Sequence, residues 1–407
     1  MAETGLDAAR GWARSAWGPA VVVAAALGAL LGMYLALGGD ARDFIHIGTR
    51  FLAQGGRASA VIRYDPSYSG YPSDMIGNDG QFCYYFALDP QHSPAYMDIP
   101  AYRLSRPLYP LLARALGLGQ PALIPWTLLL LNWLAISATV LALGDILRRR
   151  GWSPWLATLY AAYPGALLAL HADMTEPLAY ALVALGLWLR ERGVARVWLW
   201  SGLAFALAVL TREIAAAFPL ALALGEVASG LRARGGARAA ARPTIWLAAV
   251  MAPYLAWKVV VLVWTGSDGA PADLTPALYP FQGLVQQWPW APSIWAAAVF
   301  VAIPGAVGLG LGAWALWRRP DAPEFWALAL NCLFFCVLLR FSSWYLISAF
   351  RLSMGGALAL LWAGPSLARV AGRARLWLAG VFTLWVSLAP LAAVTFFPAL
   401  SRLLGAG

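Results

Sequence analysis

Apolar stretches of about twenty residues recur along almost the whole chain, each long enough to cross the ~30 Å hydrocarbon core of a bilayer as a helix. The fold class that follows is all-α: a polytopic transmembrane helical bundle of about eleven spans, with a large first extracytoplasmic loop carrying interfacial helices. Only 12% of the 407 residues are charged, against roughly 25% in ordinary globular domains. The formal charge of +10 raises the question of a nucleic-acid partner. The arginines answer it: they sit in short clusters between apolar segments, as in cytoplasmic loops under the positive-inside rule, so the expected partner is the lipid bilayer and not nucleic acid. Cys83, Cys332 and Cys336 show no zinc-type spacing and no disulfide framework.

The first apolar run, 19–37, follows Arg10 and Arg14. It is longer than a usual signal-peptide core and no cleavage site follows, so it reads as a retained helix with a cytoplasmic N-terminus. Further spans are expected at 121–147, 152–170, 174–190, 197–211 and 213–228. A second set falls at 243–264, 292–317, 325–341, 344–366 and 376–398. The loops "RRRG" at 148, "RERGVAR" at 190, "RARGGARAAAR" at 232, "RRPDAPE" at 318 and "ARVAGRAR" at 368 then share one face with the N-terminus. Counting 107–117 as a span would break that agreement, so "RPLYPLLARALGLG" reads as a helix lying at the interface. The chain is treated as one integral-membrane domain, 1–407, with the outer loop 38–120, a central helical module 121–230 and a C-terminal module 231–407.

The opposite face collects the unusual residues. Seven of the nineteen acidic side chains lie in the first loop, and His46, His92 and His171 also map to this face. Asp40 and Asp43 follow the first helix; each reads as a cap or topology charge, or as a partly desolvated carboxylate able to accept a proton. The segment "GNDGQFCYYF" predicts a tight turn presenting Asp79 and Gln81, followed by rings including Tyr84 that suit either a sugar face or the headgroup belt. Arg103 and Arg106 share a helical face and suit a phosphate, or snorkel as ordinary interface residues. "HADMTEP" crowds His171, Asp173 and Glu176 into six residues; Glu176 before Pro177 also suits a first helical turn. Arg212 beside Glu213, Lys258 within an apolar span, and Arg340, Tyr345 and Arg351 in "RFSSWYLISAFR" complete a set of cations and polar groups suited to a lipid phosphate.

One early helix, a large acidic outer loop, surface helices and then many spans resemble the GT-C superfamily of membrane glycosyltransferases. More narrowly, "GNDGQFCYYFALDP", "AYRLSRPLYPLLA", "LNWLA", "TEPLAYAL" and "VLTRE" resemble a bacterial mannosyltransferase-like group loosely related to PIG-V-type enzymes, over roughly residues 20–230. The resemblance implies a sugar donor on a polyprenyl phosphate, and inverting, metal-independent transfer to a glycan, lipid or protein acceptor at the outer face of the bacterial plasma membrane, with no cofactor. It implies a carboxylate base in the first outer loop, with Asp43 the nearest match and Asp79 its rival, and a further acidic residue at Asp173 or Glu176. Cys83 departs from the pattern, standing where related sequences often carry an aromatic. The competing class is a lipid or small-molecule transporter or flippase, which calls for inverted repeats and broken helices at the midplane. A non-catalytic assembly or receptor protein is the third.

Overall fold

The computed structural model describes residues 15–48, 51, 77–233, 236–267, 279–286, 288–289, 291–337, 346–370 and the single positions 372, 378, 380 and 381. Among them the chain is all-helical, with a single isolated antiparallel bridge between Ile47 and Gly77. The first helix, α1, is Trp17–Ala36. The segment after this helix supplies α2 (Gly80–Leu88) and α3 (Leu108–Leu116). The bundle continues with α4 (Ile124–Arg149), α5 (Pro164–His171), α6 (Glu176–Arg192), α7 (Val197–Thr211) and α8 (Ala217–Arg232). It is completed by α9 (Gly236–Thr265), α10 (Ile303–Arg318), α11 (Pro323–Val337), α12 (Leu346–Leu352) and α13 (Met354–Val370).

Among the described residues five helical segments are long and apolar enough to cross a membrane: Trp17–Ala36, Ile124–Arg149, Glu213–Arg232, Ala240–Thr265 and Ile294–Arg318. Their outer faces carry bare apolar side chains, with Val263 79% and Trp317 81% exposed, as expected of surfaces that meet lipid. Eleven spans were expected, and several of the other expected runs are short or interrupted among the described residues. The 15-residue α7 reaches only about 22 Å. In 152–170, Pro164 forces Tyr163 into extended backbone and splits the run into pieces, the last of them α5. In 344–366, a break at Ser353 separates α12 from α13. Tyr163 Oη lies 2.5 Å from Ser353 Oγ, so the two interrupted segments meet at their breaks. The span expected at 376–398 falls outside the described residues except at three single positions.

The arginine-rich loops meet at one end of the bundle. Arg150 pairs with Glu191, Arg190 with Glu226 at 2.6 Å, and Arg232 with Asp321 at 2.7 Å. Ser366 donates to Glu324 at 2.5 Å, which joins the last of these loops to the others.

At the other end the first loop folds into a cap with its own hydrophobic core. Phe82, Tyr84, Tyr85 and Phe86 are buried there with Tyr109, on Leu128 and Leu131 of α4. These rings are the interior of the cap and not a belt at the headgroups. The nine-residue α3 is about 14 Å long, packs Tyr109 and Ala113 inward and leaves Leu116 exposed. "GNDGQF" is a helix start: Gly77 takes φ +64° beside the Ile47 bridge, and Gly80 opens α2. Gly80 presses on the carbonyl of Ala172, where a Cβ would overlap the oxygen. Gly80→Ala should therefore loosen the cap at a cost of about 1–3 kcal/mol, read as faster tryptic cleavage after Arg103 or Arg114. Gly32→Ala, whose added methyl meets nothing within 4 Å, is the matched control and should digest like wild type.

Candidate functional site

Aspartate at a helix N-cap ordinarily accepts from the helix's own first amides. Asp79 caps α2 without any such bond. Its two oxygens instead accept from Arg103 Nη1 and Arg351 Nη1, each at 2.6 Å. Burial works to raise the Asp79 carboxyl, but these two guanidinium groups outweigh it and hold the group well below the usual carboxylate range. Arg103 is held on its other side by Asp98, through two bonds of 2.8 Å, and lies 4.3 Å from the centre of the Phe82 ring.

Three more ion pairs extend the network. Arg106 grips Glu213 with two bonds, 2.6 and 2.9 Å, and donates to Tyr102 Oη at 2.7 Å. Arg212, 2% exposed, places Nη1 at 3.2 Å from both Thr175 Oγ1 and Glu176 Oε1. Arg351 Nε stands 3.0 Å from the same Glu176 oxygen. Those last two contacts to Glu176 lack hydrogen-bond alignment. Among the described residues Glu176 Oε1, Arg212 Nε and Arg351 Nε are buried without a hydrogen-bond partner. Four arginines thus face four carboxylates, Asp79, Asp98, Glu176 and Glu213, and the half nearest Glu176 is under-bonded. A small cavity of about 20 Å³, the size of one water, is lined by Asp79, Cys83, Arg103, Arg106, Thr175 and Arg212. Burial pushes the Cys83 thiol up to about 12, so this side chain is a neutral wall.

Asp173 lies directly behind. The amide of Met174 donates back to the Ala169 carbonyl at 3.0 Å, closing α5 with a Schellman-type turn whose left-handed position is Asp173, φ +46°. Glycine is the usual residue there. Here an aspartate occupies it, fully buried, with neither carboxylate oxygen bonded among the described residues. Burial alone raises its carboxyl well above the ordinary range, which favours the protonated form. Within one shell of residues, one carboxylate is locked as an anion and another is kept as an acid.

The structure places the other expected residues as follows. Asp40 and Asp43 form a reciprocal capping box on the turn Ala41–Phe44. Asp40 binds the Arg42 guanidinium at 2.6 Å, while Asp43 accepts from Tyr34 Oη at 2.8 Å and from the Asp40 amide at 2.7 Å. Gln81 accepts from the Gly48 amide at 3.0 Å and ties the start of α2 to the segment that ends at Gly48. Tyr84 is buried and its phenol rises to about 12 through that burial. His171 stacks on His46, 4.6 Å between ring centres, and on Phe44 at 5.8 Å. Lys258 lies on α9 next to Trp257, whose indole donates to the Leu104 carbonyl of the cap at 2.7 Å. Arg340 and Tyr345 lie outside the described residues. Asp98 was missed as a member of the site, and Glu213 was named only as the neighbour of Arg212. Their signals were Asp98 five residues before Arg103 and Glu213 adjacent to Arg212. Among the described residues no three His, Cys, Asp or Glu side chains stand together as metal ligands.

No family model, curated protein or solved structure matches this chain.

The buried acid has a measurable signature. Above the ordinary aspartate pKa the unfolded chain releases a proton that folded Asp173 keeps, so stability falls as pH rises, by about 1.4 kcal/mol per unit. The loss stops once the folded group ionises. Asp173→Asn removes this dependence, and thermal unfolding between about pH 4 and pH 8 should show the variant gaining on wild type as pH rises. A difference that stays constant across that range would count against a neutral Asp173.

Proposed function

We propose that the protein is an integral-membrane glycosyltransferase that moves a sugar, mannose favoured, from a polyprenyl-phosphate donor to an acceptor hydroxyl with inversion. The observation that carries this reading is the under-bonded arginine pair: Arg212, which lines the cavity with Asp79, and Arg351, which donates to Asp79. Two guanidinium groups with buried, unused N–H donors suit a phosphodiester oxygen. The site belongs to the end opposite the arginine-rich loops, which the positive-inside rule assigns to the outer face, with a cytoplasmic N-terminus.

Of the three candidate carboxylates, Asp79 lines the cavity, whereas Asp43 is engaged in capping and Asp173 lies behind. Clamped between arginines, Asp79 is a weak base. An incoming phosphodiester competes for Arg351 and Arg103 and adds one negative charge to a balanced cluster. Both effects raise the Asp79 pKa, so the base becomes effective when the donor is bound. The acceptor oxygen then bonds to the anomeric carbon through an oxocarbenium-like state as the carbon–oxygen bond to phosphate breaks. The hydroxyl proton passes to Asp79, and polyprenyl phosphate leaves against Arg212 and Arg351. The cavity has room for about one water, so the cap must move for a sugar to enter.

With purified lipid-linked sugar, Asp79→Asn should lower kcat by about 10²–10⁴-fold. The acid limb of kcat, which reports the donor complex, should lie at higher pH than that of kcat/KM, which reports the free enzyme. Asp79→Asn at near-wild-type rate would sink this assignment, and loss of activity in Asp43→Asn alone would transfer the role to Asp43.

A transporter or flippase is the second reading, favoured by the two interrupted helical segments that meet at Tyr163 and Ser353. Arg351 ties the ionisable cluster to this crossing, two residues from Ser353, whereas Asp79, Glu176 and Arg212 belong to segments beyond the far end of α5, in the region of the cap. Uptake into proteoliposomes without glycosyl product would support the carrier, and release of free polyprenyl phosphate the transferase.

A further inference from the structure

The opposite end of the bundle carries a second feature, separate from the Asp79 network. A groove of about 800 Å³ runs between α1, α4 and α6. Leu131, Leu134 and Ala138 of α4 line it with Leu182 and Leu185 of α6. From Leu131 to Arg148 it extends about 25 Å along α4, more than half the ~30 Å hydrocarbon core. Leu134 (49%) and Leu185 (40%) are exposed, so the groove opens sideways between the helices.

Its polar end is built differently from its walls. Asp145, almost fully buried, accepts from Arg148 at 2.5 Å, Arg149 at 3.0 Å, Arg192 at 3.1 Å and the Trp188 indole at 3.0 Å. One carboxylate therefore organises three guanidinium groups and leaves two positive charges over. The arginine side chains are 37–44% exposed, so N–H donors that do not reach Asp145 face outward at the rim. Trp17 and Trp188 flank the same rim, the residue type that settles at the headgroup level.

We propose that this groove is a binding site for an anionic glycerophospholipid, with an acyl chain along the leucine wall and the phosphodiester on Arg148 and Arg192. Charge selects the occupant. A zwitterionic lipid brings its own cation and leaves the excess of two unopposed, whereas an anionic headgroup opposes it. Basic pockets between transmembrane helices recognise anionic headgroups in this way. Asp145 acts as the organiser that spreads the guanidinium planes for bidentate contact with phosphate oxygens. The site is independent of the chemistry proposed at the other end.

The test uses the full chain purified in detergent and exposed to dioleoyl phosphatidylglycerol or dioleoyl phosphatidylcholine, with bound lipid counted by native mass spectrometry. Wild type should retain the glycerol lipid about tenfold or more over the choline lipid, given two unopposed charges at the rim. Arg148→Gln with Arg192→Gln should reduce that preference to about twofold or less. Ala138→Trp keeps every arginine and fills the groove, so it should lose retained phosphatidylglycerol, which also decides the matter if the arginine variant fails to fold. Equal retention of the two lipids by wild type overturns the proposal, as does an undiminished preference in the arginine variant or undiminished phosphatidylglycerol retention in Ala138→Trp.

Discussion

Across 272 positions of chain, the Asp79 carboxylate receives the Arg351 guanidinium at 2.6 Å, in surroundings where neither charge is fully hydrated. Bringing two ions out of water costs several kcal/mol each, and the pair is sustained only where further groups complete the bonding. Arg103 supplies that second partner to Asp79, and Asp98 in turn fixes Arg103. This chain of charges fastens the cap to α12, while Arg351 Nε and Arg212 draw in Glu176 at the start of α6. Three segments distant in sequence are registered against one another by two carboxylates, Asp79 and Glu176, that share Arg351. Gly80 makes the geometry accessible, because the absence of a side chain lets α2 approach the Ala172 carbonyl.

Both ends of the bundle carry arginine–carboxylate networks, and they differ in hydration. Asp145 is saturated with donors, and the arginines around it lie half in solvent, where ion pairs organise more than they stabilise. Around Glu176 and Arg212 the charges are buried and three of their polar atoms lack partners among the described residues. A low-dielectric, incompletely bonded network is a poor choice for stability and a good one for holding an anion. The strained Asp173 turn belongs to the same shell, with a buried acid where glycine would serve the backbone better.

Much of this was legible in the residue order. Arg212 beside Glu213, Glu176 before Pro177 and the "GNDG" step all mark places where polar groups interrupt apolar runs, and all lie at or beside the network. What the residue order left open was partnership. Asp43 and Asp79 look alike as carboxylates in the segment after the first helix, yet one closes a capping box and the other is clamped by guanidinium groups 24 and 272 positions away. The rings of "FCYYF" suited a sugar face as well as an interior, and only their burial against Leu128 and Leu131 decides between them. Broken spans escaped for a related reason. Hydropathy averages over a window, and the single Pro164 that extends Tyr163 hardly changes it.

Taken alone, the sequence determined that this chain is helical and lives in a membrane, because repeated apolar length and sparse charge leave a bilayer as the only solvent that suits it. It also pointed to a separation of the arginine-rich loops from the acidic segment after the first helix, since apolar runs lie between them. Tertiary structure alone decided which charges meet. A carboxylate's chemistry depends on what lies within a few ångströms, and for Asp79 and Asp173 those neighbours come from remote segments. One was made a locked anion and the other a buried acid by packing that no local pattern encodes.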